Sequence, residues 1–298
     1  MSHSSLRRAL LIALAAAPVI GARSQPASSV SVDLAAHERF EKLEASSGGR
    51  LGVAALNTAD GSTLSYRESE RFPMCSTFKL PAVALILKRS MAEHGLLDER
   101  VHYGAADLVA NSPVTTQRVG AGMTIGELCT AALQHSDNTA ANLLLTALGG
   151  PEVLNEFARS IGDTWFDLVH GETEVNASVP GDMRDTTSPR AMMHDAQRFL
   201  LADDVLGVPQ REQLKAWMLG NATGAGRIRA AVPGADWLVA DKTGSGDYGT
   251  ANDVAVVYPP AGKPRVVAIY FTGVMAKETP PRSEVVAEAA RIVFDVMR

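Results

Sequence analysis

Residues 237–272 read WLVADKTGSGDYGTANDVAVVYPPAGKPRVVAIYFT, and most of the predicted β-sheet lies within them. Three apolar runs, Trp237–Asp241, Asn252–Tyr258 and Arg265–Thr272, are separated by short segments that contain glycine or proline. Such runs predict β-strands, and the turn at 259–262 (PPAG) joins the last two.

The sequence on either side adds two more strands and two flanking helices. Leu51–Leu56 and Thr63–Tyr66 flank Asp60-Gly61, which is a hairpin signal. Apolar residues recur at helical spacing in Ser31–Glu44 and in Ser283–Met297. Strands therefore lie near both ends of the chain, and the simplest assembly pairs them in one antiparallel sheet.

From Ser76 to about Gly220 the pattern is helical instead. Helices are predicted at Ala82–Arg89, Ile125–Gln134, Asn138–Leu148, Pro151–Ile161, Ser188–Leu201 and Arg211–Leu219. The sequence predicts an α/β (α+β) fold: a five-stranded antiparallel sheet, flanked by the N- and C-terminal helices, with an inserted all-helical lobe. The α/β lobe is expected to comprise residues 25–68 and 221–298 and the helical lobe residues 69–220, with a ligand site at the seam between them.

The composition of the 298-residue chain excludes several classes of protein. Its 46% of hydrophobic residues is enough for a core and excludes disorder, and its net charge of −5 argues against a nucleic-acid partner. Residues 1–24 are typical of an export signal peptide, with Arg7-Arg8 before an apolar run that is shorter than the ~20 residues of a membrane span. We therefore expect a periplasmic or secreted protein with no membrane span in the mature chain. The arginine pair also resembles a twin-arginine signal.

Three short motifs carry residue types suited to nucleophilic catalysis. Ser76 and Lys79 lie three residues apart at the start of a predicted helix, so their side chains can meet, and a lysine can take the proton of an otherwise unreactive serine. Ser136-Asp137-Asn138 lies between two predicted helices, where it also has the composition of a helix cap. Lys242-Thr243-Gly244-Ser245 follows a predicted strand and offers one charge and two hydroxyls to a carboxylate. Each motif alone is a weak signal, whereas the three in this order are a strong one.

With these motifs the chain resembles the class A serine β-lactamases, which belong to the penicillin-recognising serine enzymes. The resemblance extends from about Asp33 to Met297. It includes a segment similar to the family's omega loop, where a carboxylate at Glu172 and an amide at Asn176 can hold a water that attacks an acyl-enzyme. Asn142 resembles the structural asparagine beneath that loop.

The resemblance implies a role for each candidate residue. Ser76 is the nucleophile, and either Lys79 or Glu172 is the base that activates it. Ser136 passes a proton to the leaving nitrogen, and the backbone N–H groups of Ser76 and Ser245 form the oxyanion hole. The residues implied in substrate binding are Asn138, Asn176, Arg227, Lys242, Thr243 and Ser245.

The implied activity is hydrolysis of the β-lactam amide bond of penicillin- and cephalosporin-type antibiotics, giving antibiotic resistance. It proceeds through an acyl-enzyme on Ser76 that a water activated by Glu172 then hydrolyses. The expected partners are small-molecule β-lactams. No cofactor or metal is implied, and a monomer is expected.

The chain departs from the family pattern at several positions. His170 stands where the family usually has an arginine paired with the aspartate that is Asp185 here, so that pair is expected to be weaker or pH-dependent. Ala251 stands where many members carry a second carboxylate-binding arginine, which makes Arg227 the expected substitute. Asn111 stands where an aromatic residue commonly lines the mouth of the pocket.

The two cysteines each match one half of a disulfide found in some family members. Cys75 and Cys129 are the halves present, but the partner positions hold Gly246 and Val83. We therefore expect two free, buried thiols.

Other functions remain open at this point. A penicillin-binding D,D-peptidase, which forms a stable acyl-enzyme, shares the three motifs but leaves Glu172 and Asn176 without a role. A β-lactam-binding sensor on the same fold is the other alternative, and such sensors usually add membrane segments, none of which is predicted after residue 24. A generic serine esterase is disfavoured because no serine lies in a G-x-S-x-G motif. The seven histidines show no zinc-binding pattern, which disfavours a metallo-hydrolase.

Overall fold

A computed structural model describes residues 27–297, with side chains from residue 34 onward. The predicted export signal, residues 1–24, lies outside the described residues. The helices are α1 (Ala27–Ser47), α2 (Lys79–Ser90), α3 (Ile125–Gln134), α4 (Asn138–Leu148), α5 (Pro151–Ser160), α6 (Pro189–Leu200), α7 (Val208–Leu219) and α8 (Ser283–Val296). The strands are β1 (Arg50–Asn57), β2 (Thr63–Tyr66), β3 (Phe72–Pro73), β4 (Arg100–Val101), β5 (Met123–Thr124), β6 (Thr186–Thr187), β7 (Leu238–Ser245), β8 (Ala251–Tyr258) and β9 (Arg265–Thr272).

The main sheet contains the five predicted strands. Their spatial order is β2-β1-β9-β8-β7, and every neighbouring pair is antiparallel. The first strands of the chain are thus joined to the last ones through the β1–β9 pair. The predicted fold class is confirmed.

The sheet is buried on both faces. On β9, Val267, Ile269 and Phe271 belong to the apolar cluster that includes α1 and α8. The alternate residues Val266 and Ala268 belong to a second cluster, which includes α2 to α7. Because successive side chains of a strand point to opposite faces, β9 connects the terminal helices to the helical part of the molecule.

Strand β7 extends four residues further than predicted. The apolar run suggested a strand that ends at Asp241, but β7 continues to Ser245 because residues 242–245 pair with residues 251–254 of β8. Lys242 and Thr243 therefore lie on a regular strand rather than in a glycine-rich turn. The strand position gives their side chains a fixed direction.

A long loop, residues 168–185, is closed at its base by two hydrogen bonds. The backbone N–H groups of Asp167 and Thr186 donate to each other's carbonyl oxygens at 3.0 and 3.1 Å. This pair holds together the two ends of the segment that carries Glu172. Within residues 27–297, no helix is long and apolar enough to cross a membrane.

Two buried carboxyl groups come from either side of this loop in the sequence, Asp163 before it and Asp195 on α6 after it. Asp163 and Asp195 are in side-chain contact, and each has one carboxyl oxygen without a hydrogen-bond partner among the described residues. The other oxygen of Asp163 accepts the N–H groups of Trp165 and Phe166 at 2.7 and 3.1 Å. Burial, and then the charge of Asp163, raise the pKa of Asp195 well above its usual range.

This pair makes stability depend on pH. Above about pH 4 the unfolded chain releases the Asp195 proton while the native protein keeps it, so this group's contribution to the free energy of unfolding falls as pH rises. Asp195→Asn removes the titration. Its stability relative to the wild type should therefore increase with pH, by at most about 1.4 kcal/mol per pH unit. Urea unfolding of both proteins at several pH values checks this.

Asp204→Asn is the matched control for that experiment. Asp204 is exposed, and a hydrogen bond from Arg198 lowers its pKa, so its replacement should change stability with pH in the opposite direction. Parallel pH curves for the wild type and Asp195→Asn would contradict a retained proton.

Candidate active site

A cleft of about 200 Å³ lies beside the end of β7. Its lining residues are Ser76, Asn111, His135, Ser136, Asn138, Asn176, Thr223, Arg227, Thr243 and Ser245. Larger clefts occur elsewhere, such as one of about 720 Å³ beside Arg71 and Trp165, but this one brings the three sequence motifs together.

The backbone is strained at three positions around this cleft. Cys75, Asn111 and Ser136 have φ angles of 45°, 60° and 53°, in the left-handed region that residues other than glycine seldom adopt. Cys75 directly precedes Ser76, at the start of the short 3₁₀ turn Cys75–Phe78 that leads into α2. Strained residues of this kind concentrate at functional sites.

The Ser76 hydroxyl is paired with a buried carboxylate. Its Oγ donates to Oε1 of Glu172 at 2.7 Å, and Nζ of Lys79 lies 2.8 Å from the same oxygen. The second oxygen of Glu172 accepts a hydrogen bond from the Asn176 side chain. Glu172 is 6% exposed and Lys79 1%, so the pair is shielded from water. A carboxylate in this position can accept the serine proton.

Two buried lysines surround the Ser136 hydroxyl. Lys79 donates to the Ser136 carbonyl oxygen at 2.7 Å and lies 3.4 Å from its Oγ, and Lys242 donates to that Oγ at 3.0 Å. Burial lowers the pKa of Lys79. Burial and the charge of Lys79 bring the pKa of Lys242 well below its usual range. Two amines with lowered pKa values therefore lie within reach of the Ser136 hydroxyl.

Asn142 and Asn138 on α4 fix two parts of this network. The Asn142 side chain bonds both the N–H and the carbonyl of Glu172, at 2.8 and 2.7 Å, and so holds the loop backbone from below. Asn138 accepts a hydrogen bond from Lys79 at 2.8 Å and donates to the Ala110 carbonyl at 2.9 Å.

The base of the loop carries the histidine noted in the sequence. His170 Nδ1 lies 2.6 Å from Oδ2 of Asp185. The histidine thus contacts the same aspartate with which the family's usual arginine is paired. Asp185 Oδ1 also accepts the backbone N–H groups of Val169 and His170, at 2.8 and 2.9 Å. These two backbone bonds do not depend on the charge of the histidine.

The opposite end of the cleft is cationic. Arg227 is 5% exposed, and its guanidinium donates to Ser245 Oγ at 2.5 Å and to the carbonyls of Gly244 and Asn252 at 2.7 and 2.6 Å. Thr243 Oγ1 lies 2.5 Å from Thr223 Oγ1. One guanidinium and several hydroxyls at one end of a cleft suit an anionic group.

Comparison with known proteins agrees with this geometry. Residues 35–297 match the model of the β-lactamase enzyme family. The chain belongs to that family. It is 48% identical to β-lactamase CTX-M-25 of Escherichia coli over 295 residues, 99% of each chain. It is 51% identical to a carbapenem-hydrolysing β-lactamase, KPC, of Klebsiella oxytoca over 259 residues, 87% of each chain.

A solved structure supports the same assignment. The crystal structure of a β-lactamase from Burkholderia phymatum has a TM-score of 0.89 and 78% identity, and the match covers 90% of this chain and all of that one. The resemblance to class A serine β-lactamases is therefore confirmed, and the chain is an enzyme of that family.

The structure brings all the predicted site residues of this β-lactamase together. The residues that line the cleft are Ser76, Ser136, Asn138, Asn176, Arg227, Thr243 and Ser245. The other three predicted residues are buried behind this lining. Glu172 contacts Ser76 and Lys79, and Lys242 contacts Ser136. Sequence reasoning missed His135 and Thr223, since neither lies in a motif that points to the cleft.

Neither cysteine of the chain forms a disulfide, and one of them lies next to the proposed nucleophile. Cys75 and Cys129 are both free and buried, as predicted. Burial raises the pKa of the Cys75 thiol to about 12, which makes it a poor nucleophile beside Ser76. Within the described part of the chain, no group of three His, Cys, Asp or Glu residues is placed to hold a metal ion.

Proposed function

We propose that this β-lactamase hydrolyses the β-lactam amide bond of penicillin- and cephalosporin-type antibiotics through an acyl-enzyme on Ser76, and so gives resistance to them. The observation that carries the proposal is the hydrogen bond from the Ser76 hydroxyl to the buried Glu172 carboxylate, whose other oxygen is bonded to Asn176. One carboxylate is thereby placed to serve both halves of the reaction.

In the acylation half, Ser76 Oγ attacks the lactam carbonyl carbon and its proton passes to Glu172. The backbone N–H groups of Ser76 and Ser245 stabilise the oxyanion that forms. As the carbon–nitrogen bond breaks, Ser136 gives its hydroxyl proton to the nitrogen and regains one from Lys79, 3.4 Å away, assisted by Lys242 at 3.0 Å. Lys79 in turn takes the proton that Glu172 received, across the 2.8 Å contact between them, so that Glu172 is a carboxylate again. The product of this half is an ester on Ser76 with the ring opened.

In the deacylation half, a water held by the Glu172 and Asn176 side chains attacks the ester carbonyl. Glu172 takes one proton of that water and returns it to Ser76 Oγ, 2.7 Å away, as the ester bond breaks. The ring-opened acid is released and Ser76 regains its hydroxyl. General-base catalysis of this kind contributes about 10²–10⁴ in rate. Without it the acyl-enzyme would be long-lived.

The remaining residues hold the substrate. Arg227, Thr243 and Ser245 bind its carboxylate, with Lys242 buried behind them. Asn138 and Asn176 line the cleft near Ser76, where they can bond the amide of the substrate's side chain.

A penicillin-binding peptidase or a β-lactam sensor would form the same acyl-enzyme and keep it, so one measurement separates these functions. Purified protein is mixed with a chromogenic cephalosporin while colour and intact protein mass are followed. We expect many turnovers per molecule and an unmodified mass at the end. A single turnover with one equivalent of lasting adduct would show that the protein is a binding or transpeptidase-type protein instead.

We further propose that residues 1–24 direct export to the periplasm or the medium, and that the enzyme acts as a monomer. The proposal for export is supported by the Arg7-Arg8 pair and the apolar run after it. We also propose that the enzyme has two lobes. The α/β lobe comprises residues 25–68 and 221–298, and the helical lobe comprises residues 69–220. The mass of the exported protein locates the cleavage site, and sedimentation gives the oligomeric state.

A further inference from the structure

Arg227 is held on a loop rather than on the sheet, so its position needs an explanation. It lies in the segment between α7 and β7, directly before the 3₁₀ turn Ile228–Ala231. Its side chain reaches past the end of β7 to the cleft, where it bonds Ser245. No carboxylate among the described residues lies within salt-bridge distance of its guanidinium. A long side chain on a loop keeps such a geometry only if the backbone beneath it is fixed.

Asp253 supplies that fixation. Its Oδ2 accepts the backbone N–H of Ile228, the residue after Arg227, at 3.1 Å. Asp253 is fully buried on β8, where it pairs in register with Thr243 of β7 and Ile269 of β9. The acceptor is thus part of the rigid centre of the sheet, and the loop is tied to it.

The charges around Asp253 also point toward Arg227. Burial and the charge of Asp241 raise the pKa of Asp253 well above its usual range, whereas Arg227 and Arg229 lower it. Arg229 is already paired with Asp241 at 2.6 Å. Of the two arginines near Asp253, Arg227 therefore has no carboxylate of its own within salt-bridge distance among the described residues. A buried carboxyl with a single hydrogen bond is costly to keep, and the mechanism above gives it no role.

We propose that Asp253 is the positioning residue for Arg227 and, through it, for the carboxylate of the substrate; this rests on the proposed function. By accepting the Ile228 N–H, Asp253 fixes the backbone of this loop against the sheet. It thereby places the guanidinium against Ser245 and Gly244. Its loss affects binding of the substrate carboxylate and not the chemistry at Ser76.

Two variants test the role of the acceptor oxygen. Asp253→Ala has none, so we expect its KM for a penicillin to rise about tenfold while kcat changes by less than about threefold. Asp253→Asn keeps an acceptor for the Ile228 N–H, and both constants should stay within about threefold of the wild type. The methyl ester of the same penicillin lacks the carboxylate, so its KM should be the same for the wild type and Asp253→Ala.

The ratio of acid to ester turnover separates positioning from lost folding. A partly unfolded enzyme loses activity on both substrates equally, whereas a misplaced Arg227 affects only the acid. If Asp253→Ala does not fold, Asp253→Leu fills the space without an acceptor and is compared in the same way. In an Arg227→Ala background, Asp253→Ala should raise KM by less than about twofold, because the two residues act on one interaction.

An unchanged acid-to-ester ratio in folded Asp253→Ala, or effects that simply add to those of Arg227→Ala, would overturn the inference. A crystal structure of Asp253→Ala tests whether Asp253 positions Arg227 even if the wild type proves not to be a hydrolase. Arg227 still bonded to Ser245 Oγ in that structure would refute the role of Asp253 whatever the activity.

Discussion

Replacement of Glu172 by glutamine should convert the enzyme into one that is acylated and then stops. Glutamine keeps the shape and can still bond Asn176, but it cannot take a proton from the attacking water. We expect deacylation to slow by about 10²–10⁴, so that an adduct of protein plus intact β-lactam accumulates in the mass spectrum. Because the same carboxylate accepts the Ser76 hydroxyl at 2.7 Å, acylation should also slow, and the rise of the adduct measures by how much.

Glu174→Gln is the matched control for this variant. Glu174 lies two residues further along the same loop, is exposed, and begins the short 3₁₀ turn Glu174–Asn176. Its replacement should leave turnover unchanged. Ser76→Ala should show neither turnover nor adduct, which places the adduct on Ser76. Ordinary turnover in Glu172→Gln would remove Glu172 from the proposed mechanism.

The motif at 136–138 shows what the sequence could and could not predict here. Its composition suits a helix cap, and Asp137 does cap α4 by accepting the Ala140 N–H at 2.9 Å. Ser136 and Asn138, on either side, face the cleft. The helix-cap interpretation is therefore confirmed, and it leaves room for the proposed site, because a cap residue and its neighbours point in different directions. Residue order alone left the choice open, and the three motifs together favoured the site.

Contacts between distant segments were not predictable in this way. Thr223 reaches the cleft only because its hydroxyl meets that of Thr243, and Asp163 meets Asp195 only because the loop closes beside α6. Thr223 and Asp163 lie in no predicted element or motif, and the local sequence around Thr243 and Asp195 does not identify their partners. Strand β7 was predicted too short for a related reason, since its last residues are polar and are held in the sheet by pairing with β8. Local pattern predicts elements well, but partners across the fold decide where polar strands end.

Asp137→Ala should cause the largest loss of stability among the changes considered. Asp137 is fully buried and accepts four hydrogen bonds, from Ala140 N–H, from the N–H groups of Val114 and Thr115, and from the Thr115 hydroxyl, all at 2.9–3.0 Å. Alanine leaves these donors without an acceptor. Since each buried unsatisfied donor costs about 1–3 kcal/mol, we expect the free energy of unfolding to fall by at least about 3 kcal/mol. Urea unfolding measures it.

Two other variants serve as controls for the loss of stability in Asp137→Ala. Asp137→Asn keeps one acceptor oxygen and should lose less, whereas Asp98→Ala, at an exposed position of the turn Leu96–Asp98, should lose under about 0.5 kcal/mol. A loss below about 1 kcal/mol in Asp137→Ala would contradict the role given to its hydrogen bonds. The position of Asp137 also links stability to catalysis. It joins residues 114–115 to the start of α4, and the residues on either side of it are Ser136 and Asn138. A loosened cap should therefore displace both side chains that contact Lys79.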